Sequence, residues 1–226
     1  MLSDAALVFY RCNPVELPIT AVLESTGPDP LTDELLGVHL AGEKDSSVYW
    51  DLGPDASDRE KAIRMLQVYP LILFGAARCS TWLSRLGVVP RVTADPMLAA
   101  FVLDPNQPLD LQTLSAKYLD KPYQPLIMEP VEAGVIQRLS GMLLSEPLGP
   151  MAIAVRSLHA KLRDLPNWAE PVYQQELALA PIIARMEISG IAVGKSSLEY
   201  IESALVHTSA ALEVKLRTLS ERPRGV

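Results

Sequence analysis

Two cysteines, Cys12 and Cys79, are all that the 226 residues contain. That is too few for a disulfide framework, and no Cys/His cluster has the spacing of a zinc site. A reducing compartment, the cytoplasm, is therefore expected. Long apolar runs are missing too: "YPLILFGAA" (69–77) falls far short of the roughly 20 residues that span a bilayer. The first residues lack a basic stretch followed by an apolar core, so an unsecreted, soluble protein with no membrane contact is expected. Positive charge is scarce, with 20 Lys+Arg against 27 Asp+Glu and a net charge of -7, whereas a protein that holds nucleic acid unaided usually carries a basic face. No G-x-x-x-x-G-K-[ST] loop occurs, which removes the usual cradle for a nucleotide triphosphate. Trp50, Trp82 and Trp168 are dispersed and suit core packing better than a stacking platform. What the chain does have is 49% hydrophobic residues, enough for a core, and a length that implies one compact domain plus an appendage.

The first half alternates β-prone and helical patterns. "ITAVLE" (19–24), "ELLGVHLAG" (34–42) and "SSVYWDL" (46–52) are separated by turn chemistry and read as a three-strand meander. Ser57 and Glu60 have capping-box spacing, predicting a helix over 57–68 with Ala62, Ile63, Leu66 and Val68 buried. "PLILFG" (70–75) returns as a strand, "ARCSTWLSRLG" (77–87) as a helix stopped by Gly87 with Trp82, Leu83 and Leu86 on one face, and "VVPRVTA" as a fifth strand. The second half is helical. Asp95 is an N-cap with Pro96 behind it, and Leu111, Leu114 and Tyr118 follow Asp110 at helical spacing. Helices over 129–146 and 151–165 are each bounded by proline. From 173 to 189 the stripe Leu177, Ile182, Ile183 and Met186 predicts another, kinked at Pro181 and ended by Gly190. Ser196 and Glu199 form a second capping box before an amphipathic helix over 197–220, striped with Leu198, Ile201, Leu205, Leu212 and Leu219.

Several stretches line up with one family. "ADPMLAAFVLDPNQPLDLQTLSAKYL" (94–119) resembles D-T-M-L-A-x-Y-L-L-D-P followed by L-x-x-L-A-x-x-Y-L in bacterial DNA polymerase I, the family A polymerases. "ELALAPIIARMEISGIAV" (176–193) is similar to that family's P-L-x-P-V-L-x-x-M-E-x-x-G-I-x-V, and "LESTGPDPLTDELLGVHLA" (23–41) to its first exonuclease motif, D-T-E-T-T-G-x-D-P before a strand. The resemblance covers about residues 15 to 226 in matching order. It implies an α/β, ribonuclease H-like fold: a mixed sheet of about five strands flanked by helices, then a long C-terminal helix. It further implies an exonuclease-like domain over 1–168 and a helical connection over 169–226 that leads towards a polymerase thumb.

The proofreading domains of that family hold two Mg ions on four carboxylates, because a pair of divalent cations about 4 Å apart needs several hard oxygen ligands. Carried over onto this chain, the D-x-E aspartate falls on Val22 and its glutamate on Glu24. The second motif's aspartate falls on Cys79, the third's on Ile153, and the tyrosine four residues earlier on Gly149. No acid occurs from Pro147 to Lys161, so a small shift of the third motif restores nothing. Val and Ile have no lone pairs, and magnesium prefers oxygen to thiolate. Glu24 then reads as a surface or hydrogen-bonded acid, and Cys79 as a small buried residue, since His39, His159 and His207 carry no cysteine-hydrolase signature.

The expected function is a non-catalytic exonuclease-like scaffold, with no catalytic, cofactor-binding or metal residues and no cofactor in this chain. Its partner is a polymerase domain, in cis or as a separate chain, and it reaches DNA only through that polymerase. The last helix is expected to need a covering partner or to self-associate. Lys215, Arg217, Arg222 and Arg224 suit either phosphate contact or the helix dipole. Two other classes stay open: an active metal-dependent 3'-5' exonuclease using Glu24 with Asp29, Asp33 or Asp95, and a stand-alone interaction module.

Overall fold

The computed structural model describes residues 16–27, 29–42, 47–53, 58–123 and 145–220. Cys12, Ser57, Arg222, Arg224 and almost all of the helix expected over 129–146 lie outside the described residues. Five strands form one mixed sheet: β1 (Ile19–Ser25), β2 (Leu35–Ala41), β3 (Ser47–Asp51), β4 (Pro70–Ile72) and β5 (Arg91–Ala94), in the spatial order β3-β2-β1-β4-β5. The first three make the expected antiparallel meander, with Val22 opposite His39 and His39 opposite Tyr49. Strand β4 joins β1, and β5 joins β4, in parallel. Parallel pairing needs crossovers, and α1 (Arg59–Val68) and α2 (Ala76–Arg85) provide them.

Helices α3 (Pro96–Leu103), α4 (Leu111–Tyr118), α5 (Ser145–Leu162), α6 (Glu170–Ser189) and α7 (Lys195–Ser220) follow. Helix α5 packs on β1 and β2. The core joins strand residues Val38, Leu40 and Leu71 to Leu66, Leu83, Leu114 and Leu158 from the helices. Local signals act as their chemistry requires. Asp110 caps α4 by accepting from Thr113 N at 2.8 Å, and Gly87 and Gly190 follow α2 and α6 with φ of 75° and 60°, a conformation that glycine adopts without Cβ strain.

Several expectations are corrected. Strand β4 ends at Ile72, and α1 buries Ala62, Met65 and Leu66, leaving Val68 exposed. Pro150 lies inside α5 rather than bounding it. Helix α6 buries Tyr173, Leu177, Ala180 and Ala184, not Ile182, Ile183 and Met186. The helix is apolar on several sides, so its pattern could not select one, and the small alanines allow the closest approach. Helix α7 begins at Lys195, so Ser196 is inside it and the N–H groups of Ser197 and Leu198 bond to Gly194 O. Trp50 and Trp82 are buried as expected, but Trp168 is 64% exposed. The chain divides into compact units Met1–Ile188 and Ser189–Val226. Within the second unit, α7 has no core of its own.

Candidate functional site

Strand β1 leads into a turn held by several hydrogen bonds among its described residues. Thr26 N donates to Glu34 O and Thr26 Oγ1 accepts from Glu34 N, both at 2.9 Å. Asp29 Oδ1 accepts from Leu31 N at 2.9 Å and Asp33 Oδ2 from Asp29 N at 2.8 Å. From α2, the Arg85 guanidinium donates to Pro30 O at 2.8 Å and Asp33 O at 2.6 Å. The same helix bonds to the end of α6, where Thr81 Oγ1 donates to Glu187 Oε2 at 2.7 Å.

Beside this turn is a hollow of about 250 Å³ lined by Ala21, Val22, Leu23, Ser25 and Gly27, by Phe74, Arg78, Cys79 and Trp82, and by Met151. Val22 and Cys79, assigned to two motif positions by sequence, therefore meet in space. Ile153 does not line the hollow; α5 contributes Met151 instead. Two residues along a helix turn through about 200°, so the face presented to the hollow is the one that starts two positions earlier. Gly149 also falls within α5.

Glu24 is 6% exposed, so it is buried rather than a surface acid. It is hydrogen-bonded, as expected: Tyr49 Oη donates to Glu24 Oε2 at 2.6 Å. Tyr49 reaches it from β3 by crossing β2 at Gly37, where a Cβ would overlap the phenol. Burial pushes the carboxyl pKa up, the tyrosine bond pulls it down, and Asp51 adds a smaller rise. The Cys79 thiol is pushed up to about 12, by burial first and by the charge of Asp95 second, and it donates weakly to Phe74 O at 3.5 Å. Burial thus disfavours the thiolate, the form that acts as nucleophile or metal ligand; by exposed area Cys79 is half-buried rather than fully enclosed.

Asp95 is consumed elsewhere. Its Oδ1 accepts from Gly75 N at 3.2 Å, Met97 N at 2.9 Å and Leu98 N at 3.3 Å, and its Oδ2 from Ala76 N at 2.7 Å. One carboxylate thus caps α2 and α3 together, while its own N–H donates to Tyr173 Oη at 2.9 Å. Burial raises its pKa and the four N–H groups lower it. A second hollow of about 560 Å³ adjoins this junction, with Arg78, Glu176 and Glu187 among its lining. His159 is half-buried, and burial lowers its pKa.

A pair of hard divalent cations does not fit this donor set. The side chains of Val22, Met151 and Ile153 offer no oxygen ligand, burial disfavours the Cys79 thiolate, and one oxygen of Glu24 is held by a phenol. Among the described residues no group of three or more His, Cys, Asp or Glu could hold a metal ion. Asp29, Asp33 and Asp95 are each engaged by backbone N–H groups.

Comparison with solved structures gives matches over most of the chain. The polymerase domain of Pol1 from M. smegmatis, in complex with DNA primer-template and dNTP, matches with a TM-score of 0.68 at 20% identity, over 90% of this chain and 33% of that one. Brucella melitensis NrnC matches with a TM-score of 0.61 at 12% identity, over 76% of this chain and 85% of that one. The fold is α/β and ribonuclease H-like, a five-stranded mixed sheet flanked by helices, as in these structures. NrnC has also been seen with bound Mg2+, in a structure that matches with a TM-score of 0.51 at 12% identity, over 76% of this chain and 86% of that one. The chain spans about a third of the length of the polymerase it matches. No protein-family model and no curated protein matches its sequence.

Sequence reasoning missed Met151, Arg78 and Tyr49. For Tyr49 the only local signal was the alternation of "SVYWD", which puts Tyr49 and Trp50 on opposite faces without saying which two strands away it would meet.

Proposed function

We propose that the chain is a non-catalytic 3'-5' exonuclease-like scaffold of a family A DNA polymerase, working in the cytoplasm in support of DNA synthesis in replication and repair, with proofreading lost. The observation that carries the reading is the meeting of Val22 and Cys79 in one hollow with Met151, where a two-metal hydrolase requires oxygen ligands. Both the polymerase-like sequence motifs and the likeness to a polymerase bound to DNA support a polymerase domain as partner, in cis or as a separate chain, with DNA reached through it. Among the described residues no helix is long and apolar enough to cross a membrane.

The test is incubation with end-labelled single-stranded DNA and Mg2+ or Mn2+. The labelled strand is expected to stay full length; metal-dependent shortening from the 3' end would overturn the non-catalytic half. For the scaffold half, purification from source cells is expected to bring down a polymerase, covalently continuous or associated. Recovery of this chain with no polymerase polypeptide would overturn it.

A further inference from the structure

The face of the sheet that carries Val22 also carries a buried polar patch. In the antiparallel register Val22 faces His39, Thr20 faces Ala41 and Glu24 faces Gly37, so His39 is diagonal to both Thr20 and Glu24. Diagonal neighbours stand about 7 Å apart. Tyr49 lies opposite His39 on the next strand, with ring centroids 6.4 Å apart and the planes tilted by 44°. Its hydroxyl satisfies Glu24 Oε2 and leaves the other oxygen unserved. Glu24 Oε1, both ring nitrogens of His39 and Thr20 Oγ1 are buried without a hydrogen-bond partner among the described residues. His39 is 6% exposed, like Glu24.

An unsatisfied buried polar group costs about 1–3 kcal/mol, whereas one enclosed water serves two to four such groups at once. We propose that this patch is a built site for an internal water that bridges Glu24 Oε1 to a ring nitrogen of His39. The chemistry selects water over a cation. Around the patch stand an imidazole, a phenol already donating to the carboxylate, the apolar Val22 and Ala41, and beyond Gly37 the exposed Asp51, one oxygen of which accepts from Gly53 N; among the described residues no three His, Cys, Asp or Glu side chains converge to hold a metal. Water can donate to that oxygen and either donate to or accept from the neutral imidazole. Glu24 thereby becomes the acceptor at the centre of a Tyr49–Glu24–water–His39 network. This assignment does not depend on the loss of nuclease activity.

A high-resolution crystal structure of the 1–226 chain tests it. A density peak within about 2.6–3.2 Å of both Glu24 Oε1 and a His39 nitrogen is expected. Direct protein partners for those atoms, or solvent-exposed imidazole, would overturn the proposal. In solution, thermal unfolding of Glu24→Leu, His39→Leu and the double variant gives an independent reading. Because the two side chains share one water, the loss in Tm of the double variant is expected to be smaller than the two single losses together. Strict additivity would refute the bridge, and if any variant fails to fold the crystal structure alone decides.

Discussion

Replacing Asp95 by alanine is expected to lower stability more than a surface substitution does, and the size follows from its contacts. The side chain is 2% exposed and accepts from four backbone N–H groups belonging to the first turns of two helices. Loss of one N-cap costs about 1 kcal/mol, and two are lost here. Because Gly75 and Ala76 sit at a turn beside the core, at least one donor stays away from water, adding about 1–3 kcal/mol. Against this stands relief of the carboxylate's own burial, the larger influence on its pKa. A net loss of about 3 kcal/mol is expected, which for a domain of this size lowers Tm by roughly 6–12 °C. Asp95→Asn keeps one acceptor oxygen and should lose about half as much. Circular dichroism followed through thermal and urea unfolding measures both. An alanine variant that melts within a degree or so of the parent would refute the double-cap reasoning, since it would mean that the N–H groups find water without difficulty.

Three further outcomes are expected. Gly37→Ala forces the Tyr49 ring off Glu24, because the added Cβ overlaps the phenol; a loss of about 1–3 kcal/mol in urea unfolding is expected, as for other overpacked sites. With Cys12 replaced by serine, Cys79, whose thiol is pushed up to about 12, should react with a disulfide reagent at pH 8 at least about 100-fold faster in denaturant than in the folded protein. Comparable rates would contradict its burial. Glu24 has a folded pKa raised above its unfolded value by burial, so its contribution is fully present below the unfolded pKa and is lost as pH rises through the folded one. Unfolding measured from pH 4 to pH 7 should therefore decline less in Glu24→Gln than in the parent, and a steeper decline in the variant would reverse the sign of the argument.

Much of the fold was legible because its signals are local. Short β-prone runs between turn residues became β1 to β5, Asp95 before Pro96 became a cap, and Gly87 and Gly190 ended helices, since each depends on residues a few positions apart. The helix faces were less legible. Helix α6 offered Leu177 with either Ala180 and Ala184 or Ile182 and Ile183, and hydropathy favours the larger side chains, whereas close packing took the smaller. Trp168 looked like core by residue type, yet it falls in the turn between α5 and α6 and remains exposed.

The sequence by itself determined which side-chain chemistry Val22, Cys79 and Ile153 can bring, for no folding gives those side chains an oxygen. Tertiary structure decided what surrounds them. It set Val22 and Cys79 around one hollow, placed Met151 rather than Ile153 in its lining, passed Tyr49 across Gly37 to hold Glu24, and gave Asp95 a second helix to cap. The division has a physical cause: the functional group of a side chain is covalent and local, but its neighbours come from strand register and helix rotation, which are set by the packing of residues far apart in the chain.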